Sequence, residues 1–261
     1  MEQSSDNHDE LTIKQQKEIE KEINEQFALI SEKIPIEILN DEYADDPVYR
    51  QKVQDISSKY RYMRKIRPDG NCFYRAFGFT TLEHLIKNKE EFKKFRQVIE
   101  QSKAKLIQLN FPQFTIDDFY DTIMEVINKV EPSDNQDVDK VLDELYKLFN
   151  EQAYSDYIVV YLRLITSGKL QEEAEFYSNF IEGNYTSLLD FCKKEVEPMY
   201  KESDHIHIIA ICAALGCAVR VVYMDRGSQS EVIAHDFPDC PDKYPSVFLL
   251  YRPNHYDVLY Q

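Results

Sequence analysis

The chain has 261 residues, 43% of them hydrophobic, and a formal charge of −16, so it can bury a sizeable core but is poorly suited to the phosphates of a nucleic acid. No run approaches the ~20 apolar residues of a membrane span, and the acidic start Met1-Glu2-Gln3-Ser4-Ser5-Asp6 lacks a signal peptide's basic and apolar regions. Five irregularly spaced cysteines suit a reducing compartment; the expectation is a soluble monomer of the cytoplasm, with the nucleus as a second location, no membrane partner and no cofactor.

The acidity is concentrated at the N-terminus. Residues 1–46 carry 14 acidic and 4 basic side chains, which leaves −6 for the other 215 residues and favours a basic partner. Thr12-Ile13-Lys14-Gln15 has the form of a capping box opening a helix. Ile19, Ile23, Phe27 and Ile30 follow at spacings of 4, 4 and 3, an apolar stripe on a charged helix that Pro35 must end. A lone helix of this length is marginal in water until its stripe is covered. The expected division is an acidic extension, 1–40, carrying this amphipathic helix, and a folded domain, 41–261.

Asp46 as cap and Pro47 at the first position signal the next helix, with Tyr49, Val53, Ile56 and Tyr60 on its buried face. The turn pair Gly70-Asn71 precedes Phe73, Ala76, Phe77, Leu82 and Leu85 at roughly helical spacing, so Cys72 is expected at a helix N-terminus. Periodic apolar positions predict further helices over 92–109, 116–130, 138–149, 157–165 and 188–196, and Asp204 caps a buried helix ending near Gly216. Strands are expected only then, at 218–224, 231–235, 247–251 and 256–260, with His255 opening the last. The class is α+β, a small and mostly antiparallel sheet packed against helices. His205 and His207 stand at i, i+2 on a helix and share no face, so they predict core packing and no metal site. The 18 Tyr and 15 Phe fall mostly at helical or alternating spacing and read as core.

The chemistry gathers in two distant pieces. A thiol with a free pKa near ~8.5 needs a base or a positive environment to act as a nucleophile at neutral pH. At a helix start, Cys72 has the unpaired amides and the positive end of the dipole, and those amides can also face an oxyanion. In a strand, residues i and i+2 project from one face, so Asp257 stands beside His255 and can fix its tautomer, leaving the other ring nitrogen for the thiol. A cysteine or histidine alone predicts little; the paired segments make a nucleophile, a base and an orienting carboxylate.

Taken together, Arg67-Pro68-Asp69-Gly70-Asn71-Cys72-Phe73-Tyr74-Arg75-Ala76, Tyr157 to Leu164, Phe180-Ile181-Glu182-Gly183, Glu202 to Ala210 and His255-Tyr256-Asp257 resemble the otubains, a branch of the ovarian-tumour superfamily of papain-like deubiquitinases. The resemblance runs from about Tyr43 to the C-terminus. It implies an OTU-type papain-like fold with a helix-rich arm, Cys72 as nucleophile, His255 as general base and Asp257 as orienting acid. It places Asp69 at the family's acidic position before the nucleophile, where the loop backbone helps build the oxyanion hole. The implied reaction is hydrolysis of isopeptide bonds in polyubiquitin, preferring the proteasome-targeting linkage, with the Ile19, Ile23, Phe27 and Ile30 stripe meeting the proximal ubiquitin. The alternative it implies is a binding protein that restrains ubiquitin transfer by engaging a ubiquitin-conjugating enzyme without using the thiol; a protease for another ubiquitin-like modifier comes third.

Overall fold

A computed structural model describes residues 26–261 except 135, 228–230 and 240–243. In chain order the elements that position the site are β1 (Ile34–Pro35), α1 (Pro47–Lys59), β2 (Tyr62–Arg64), α2 (Cys72–Leu85), α3 (Lys89–Gln108), α4 (Gln113–Val130), α5 (Val138–Asn150), α6 (Gln152–Glu172), α7 (His205–Leu215), β3 (Val219–Tyr223), β4 (Ile233–Phe237), β5 (Val247–Arg252) and β6 (His255–Tyr260). The sheet order is β1-β2-β6-β5-β3-β4, with β3 and β5 parallel and every other pair antiparallel. The α+β expectation holds.

The local signals explain the boundaries. Asp46 accepts hydrogen bonds from Val48 N and Tyr49 N at 3.1 and 3.3 Å, which satisfies two amides at the start of α1. Gly216 closes α7 in the left-handed region at φ 67. β5 and β6 form a hairpin across Pro253-Asn254, with Arg252 opposite His255 in register. Pro253 pre-sets the first turn residue and Asn254, at φ 63, tolerates the left-handed second one.

Both faces of the sheet's centre are covered, so β3, β5 and β6 bury side chains on both sides, while edge strand β4 stays largely exposed. On one face, Leu249 and Val258 join the large core formed with α2 through α7. On the other, Leu250 and Leu259 join Val53 and Ile56 of α1 and Tyr60, which follows it. Helix α2 lies between sheet and helices and is apolar on nearly every side, with all but His84 of its residues buried. Burying Phe73 or Phe77 there contributes roughly 1.5–3 kcal/mol each.

Several expectations change. Helix α6 runs from 152 to 172 rather than 157–165, because Ser155, Thr166, Ser167 and Gly168 are buried with it but add nothing to an apolar pattern. The helix expected over 188–196 is a short α-turn, Leu188–Phe191, that widens into a π-turn at Cys192–Val196. Strands β1 and β2, two and three residues long, were not anticipated.

The N-terminal stripe is also corrected. Its capping box, Ile19 and Ile23 lie outside the described residues. Helical backbone ends at Gln26, well short of Pro35, which instead lies in β1. Ile30 bridges Ile66 as an isolated β-pair and is 0% exposed in the large core, so it cannot share a partner-facing stripe with Phe27, which is 41% exposed. Ile36 and Leu39 are likewise buried against α1, so the folded body takes in residues assigned to the extension.

Candidate active site

Cys72 is the first residue of α2, following the loop Asp69-Gly70-Asn71, and is buried. The loop is held from within. Asp69 Oδ1 accepts from Asn71 N and from Arg75 Nη1, both at 2.9 Å, and Arg75 is itself fully buried against Asp69, Ser155 and Asp156. Asp69 therefore serves as the loop's internal brace. Because Asn71 N is engaged by that carboxylate, the amides of Gly70 and Cys72 are the ones left for a substrate oxygen.

Gly70 adopts φ 73, and a Cβ on it would lie 2.5 Å from the carbonyl oxygen of Tyr200. This position tolerates only glycine, for conformation and for space.

The other half of the site comes from the β5–β6 hairpin. His255 Nε2 lies 2.9 Å from Asp257 Oδ1, the i, i+2 relationship expected on one strand face. His255 Nδ1 has no hydrogen-bond partner among the described residues and is the ring nitrogen left for the sulfur. Asp257 is 0% exposed, and its Oδ1 also accepts from Ile66 N at 2.9 Å. Its Oδ2 pairs with Arg252, whose guanidinium continues to Glu42 and to the Tyr43 hydroxyl.

The charges settle accordingly. Burial alone would push the Asp257 carboxyl up, but the hydrogen bond from His255, the Arg252 charge and the Ile66 amide hold it below the usual carboxylate range. Burial would likewise strip His255 of its proton; the Asp257 carboxylate and the Cys72 sulfur outweigh that and raise it to about 9. The site thus keeps a cationic imidazole between a carboxylate and a sulfur, the electrostatic arrangement of a thiol hydrolase.

The structure places Asp69 and Cys72 on one loop and helix start, and His255 and Asp257 on the facing strand. Phe27 lies near this region through its carbonyl, which accepts from Arg67 Nε and Nη2 at 2.9 and 2.7 Å. Arg75, Arg252 and Arg163 were missed at the sequence level. Arg252 could have been found, since a two-residue turn sets it opposite His255. Arg163 carried a weaker signal, a single charge inside Tyr161-Leu162-Arg163-Leu164-Ile165.

A family model described as Peptidase C65 Otubain matches residues 22–261. This chain belongs to the otubains. With them it is a cysteine-type deubiquitinase of the ovarian-tumour superfamily. Human "Ubiquitin thioesterase OTUB1" is 49% identical over 255 residues, covering 97% of this otubain and 91% of the relative. Human "Ubiquitin thioesterase OTUB2" is 37% identical over 234 residues, covering 90% and 96%. Among solved structures, "The structure of h/ceOTUB1-ubiquitin aldehyde-UBCH5B~Ub" aligns with a TM-score of 0.89 at 33% identity, over 97% of this otubain and 98% of that chain.

Proposed function

We propose that the chain hydrolyses isopeptide bonds in polyubiquitin through Cys72, His255 and Asp257, acting in the cytoplasm and nucleus with preference for the proteasome-targeting linkage. The observation that carries this is the His255 ring, tied through Nε2 to buried Asp257 and open at Nδ1, on the strand that faces Cys72 at the start of α2. Cys72 attacks the carbonyl of the distal ubiquitin's C-terminal glycine, and the Gly70 and Cys72 amides receive the oxyanion. His255, cationic at neutral pH, protonates the departing lysine amine; the thioester is then cleaved by water that His255 deprotonates.

Surface chemistry supports a ubiquitin partner, which presents an apolar patch among basic residues. Phe176, Phe180 and Ile209 are 55%, 58% and 40% exposed and line one depression with the carboxylates Glu182 and Asp204. The N-terminal Ile19, Ile23 and Phe27 are assigned to the proximal ubiquitin, without Ile30.

A second reading, restraint of a ubiquitin-conjugating enzyme, is favoured by the similar OTUB1 structures, which hold UBCH5B~Ub and UBC13~Ub. One experiment separates the two. Ubiquitin dimers of each linkage are incubated with the protein, its Cys72→Ala variant and a version lacking residues 1–25, which spares the core residues Leu29 and Ile30. Cleavage of the proteasome-targeting dimer, lost in Cys72→Ala and reduced by the truncation, is expected. No cleavage of any dimer would overturn it and favour the binding role.

A further inference from the structure

Behind the Asp69–Cys72 loop, one cation meets the backbone of two other segments. Arg163, on α6 and 0% exposed, sends Nη2 to the carbonyl oxygens of Gly70 at 2.9 Å and Lys201 at 2.7 Å, and to Asn71 Oδ1 at 3.1 Å. Its Nη1 donates to the Val196 carbonyl at 3.1 Å, and its guanidinium carbon lies 4.7 Å from the centre of the Tyr74 ring. These acceptors are all uncharged. Burial penalises this guanidinium, and the Asp69 carboxylate and Cys72 sulfur nearby offset only part of that cost, so packing alone is a weak account of it.

The loop needs such a hold. Gly70 sits at φ 73 and presses against Tyr200, itself a non-glycine residue at φ 64. Asn71 Oδ1 accepts from Tyr200 N at 2.9 Å as well as from Arg163, so loop and 196–201 segment are tied to the same group. The Gly70–Asn71 peptide has two faces. Its carbonyl is drawn inward to Arg163 and its N–H, that of Asn71, is held by Asp69, so the peptide is fixed from both sides. Were the Arg163 hold lost, the carbonyl would lose its donor and the flanking Gly70 and Cys72 amides their fixed direction, which weakens the stabilisation of an oxyanion.

We propose that Arg163 is a positioning residue that holds the Gly70 carbonyl away from the substrate and so keeps the oxyanion loop competent for acyl transfer. This rests on the triad reading above. Arg163 touches no substrate; its effect is exerted through Gly70 and Asn71, on the tetrahedral state and not on ubiquitin binding.

The test uses the full chain, wild type, Arg163→Lys, Asn71→Ala and Cys72→Ala, with an ester at the C-terminus of ubiquitin, rates being expressed per titrated thiol. Arg163→Lys keeps the charge but loses the planar fork. Its kcat is expected to fall on the order of 10²-fold, the usual effect of a lost oxyanion donor, with KM within twofold. Affinity for ubiquitin aldehyde, whose carbonyl adds the Cys72 thiol to form a tetrahedral adduct, should fall in parallel. Unmodified ubiquitin should bind Cys72→Ala and Cys72→Ala/Arg163→Lys equally. If Arg163→Lys does not fold, Asn71→Ala removes the clamp's other acceptor and should show the same kcat-selective loss.

A folded Arg163→Lys with kcat within threefold of wild type would overturn the assignment. So would equal weakening of ubiquitin aldehyde and unmodified ubiquitin. A wild type without activity, or one whose activity survives Cys72→Ala, would instead overturn the triad itself.

Discussion

Arg252 and His255 stand opposite each other at the end of the β5–β6 hairpin and bind the two oxygens of one buried carboxylate, Asp257. Asp257 thus works as a charged hinge pin, with His255 on Oδ1, Arg252 on Oδ2 and the Ile66 amide from outside the hairpin.

Replacing Asp257 with Asn removes the charge that keeps His255 protonated. His255 is held cationic to about pH 9, so the falling limb of the pH–kcat profile, where the proton for the leaving amine is lost, is expected near 9 in the wild type. In Asp257→Asn it should move down toward imidazole's ordinary value of ~6.5, with kcat reduced ~10²-fold or more. Stopped-flow cleavage of a fluorogenic substrate that joins ubiquitin to a lysine amine through an isopeptide bond, from pH 5 to 10, measures both.

Arg252→Met takes from buried Asp257 one of the two cations on it, leaving its Oδ2 without the guanidinium. Removing one member of a buried ion pair strands the other, and the expected loss is on the order of 3 kcal/mol in urea unfolding. A loss below about 1 kcal/mol would show that Ile66 and His255 suffice.

His207 predicts acid sensitivity away from the triad. Its Nδ1 accepts from Asp204 N at 3.0 Å in a capping box, and burial holds the ring neutral, pushing it down to about 4. The unfolded chain takes up that proton first as pH falls, so stability is fully present above about 6.5 and is lost toward 4, on the order of 3 kcal/mol. Gln can keep the cap without titrating. His207→Gln should therefore flatten this part of the stability–pH curve, read from urea midpoints at pH 4 to 7.

Ile30 and Phe27 should separate cleanly. Ile30→Ala removes a fully buried core residue and is expected to lower stability by about 2–4 kcal/mol. Phe27→Ala, at an exposed position, should leave stability nearly intact while slowing dimer cleavage and sparing a ubiquitin ester. Equal slowing on both substrates would remove Phe27 from the proximal-ubiquitin surface.

Much of the site was legible because its signals are local. Gly70-Asn71 before an apolar helix placed Cys72, and the period of two placed Asp257 beside His255. Arg163 was not, because its acceptors lie at 70, 71, 196 and 201, and a charge's burial depends on what the fold brings to it. β1 and β2 are too short to show alternation; β2 exists because β6 offers it an edge, and β1 because β2 does in turn. Ile30 misled for a related reason. Its spacing continued a helical stripe, but pairing with Ile66 and burial outweighed that local pattern.

The strand order has a consequence for synthesis. β6 carries both His255 and Asp257, follows the other described strands in chain order and lies between β2 and β5, so a late strand joins the two parts of the sheet. Until it inserts, the growing chain carries Cys72 without His255 and Asp257, and β2 and β5 each have an edge that β6 has yet to fill. Cys72 therefore gains His255 and Asp257 as neighbours in the same step that closes the sheet.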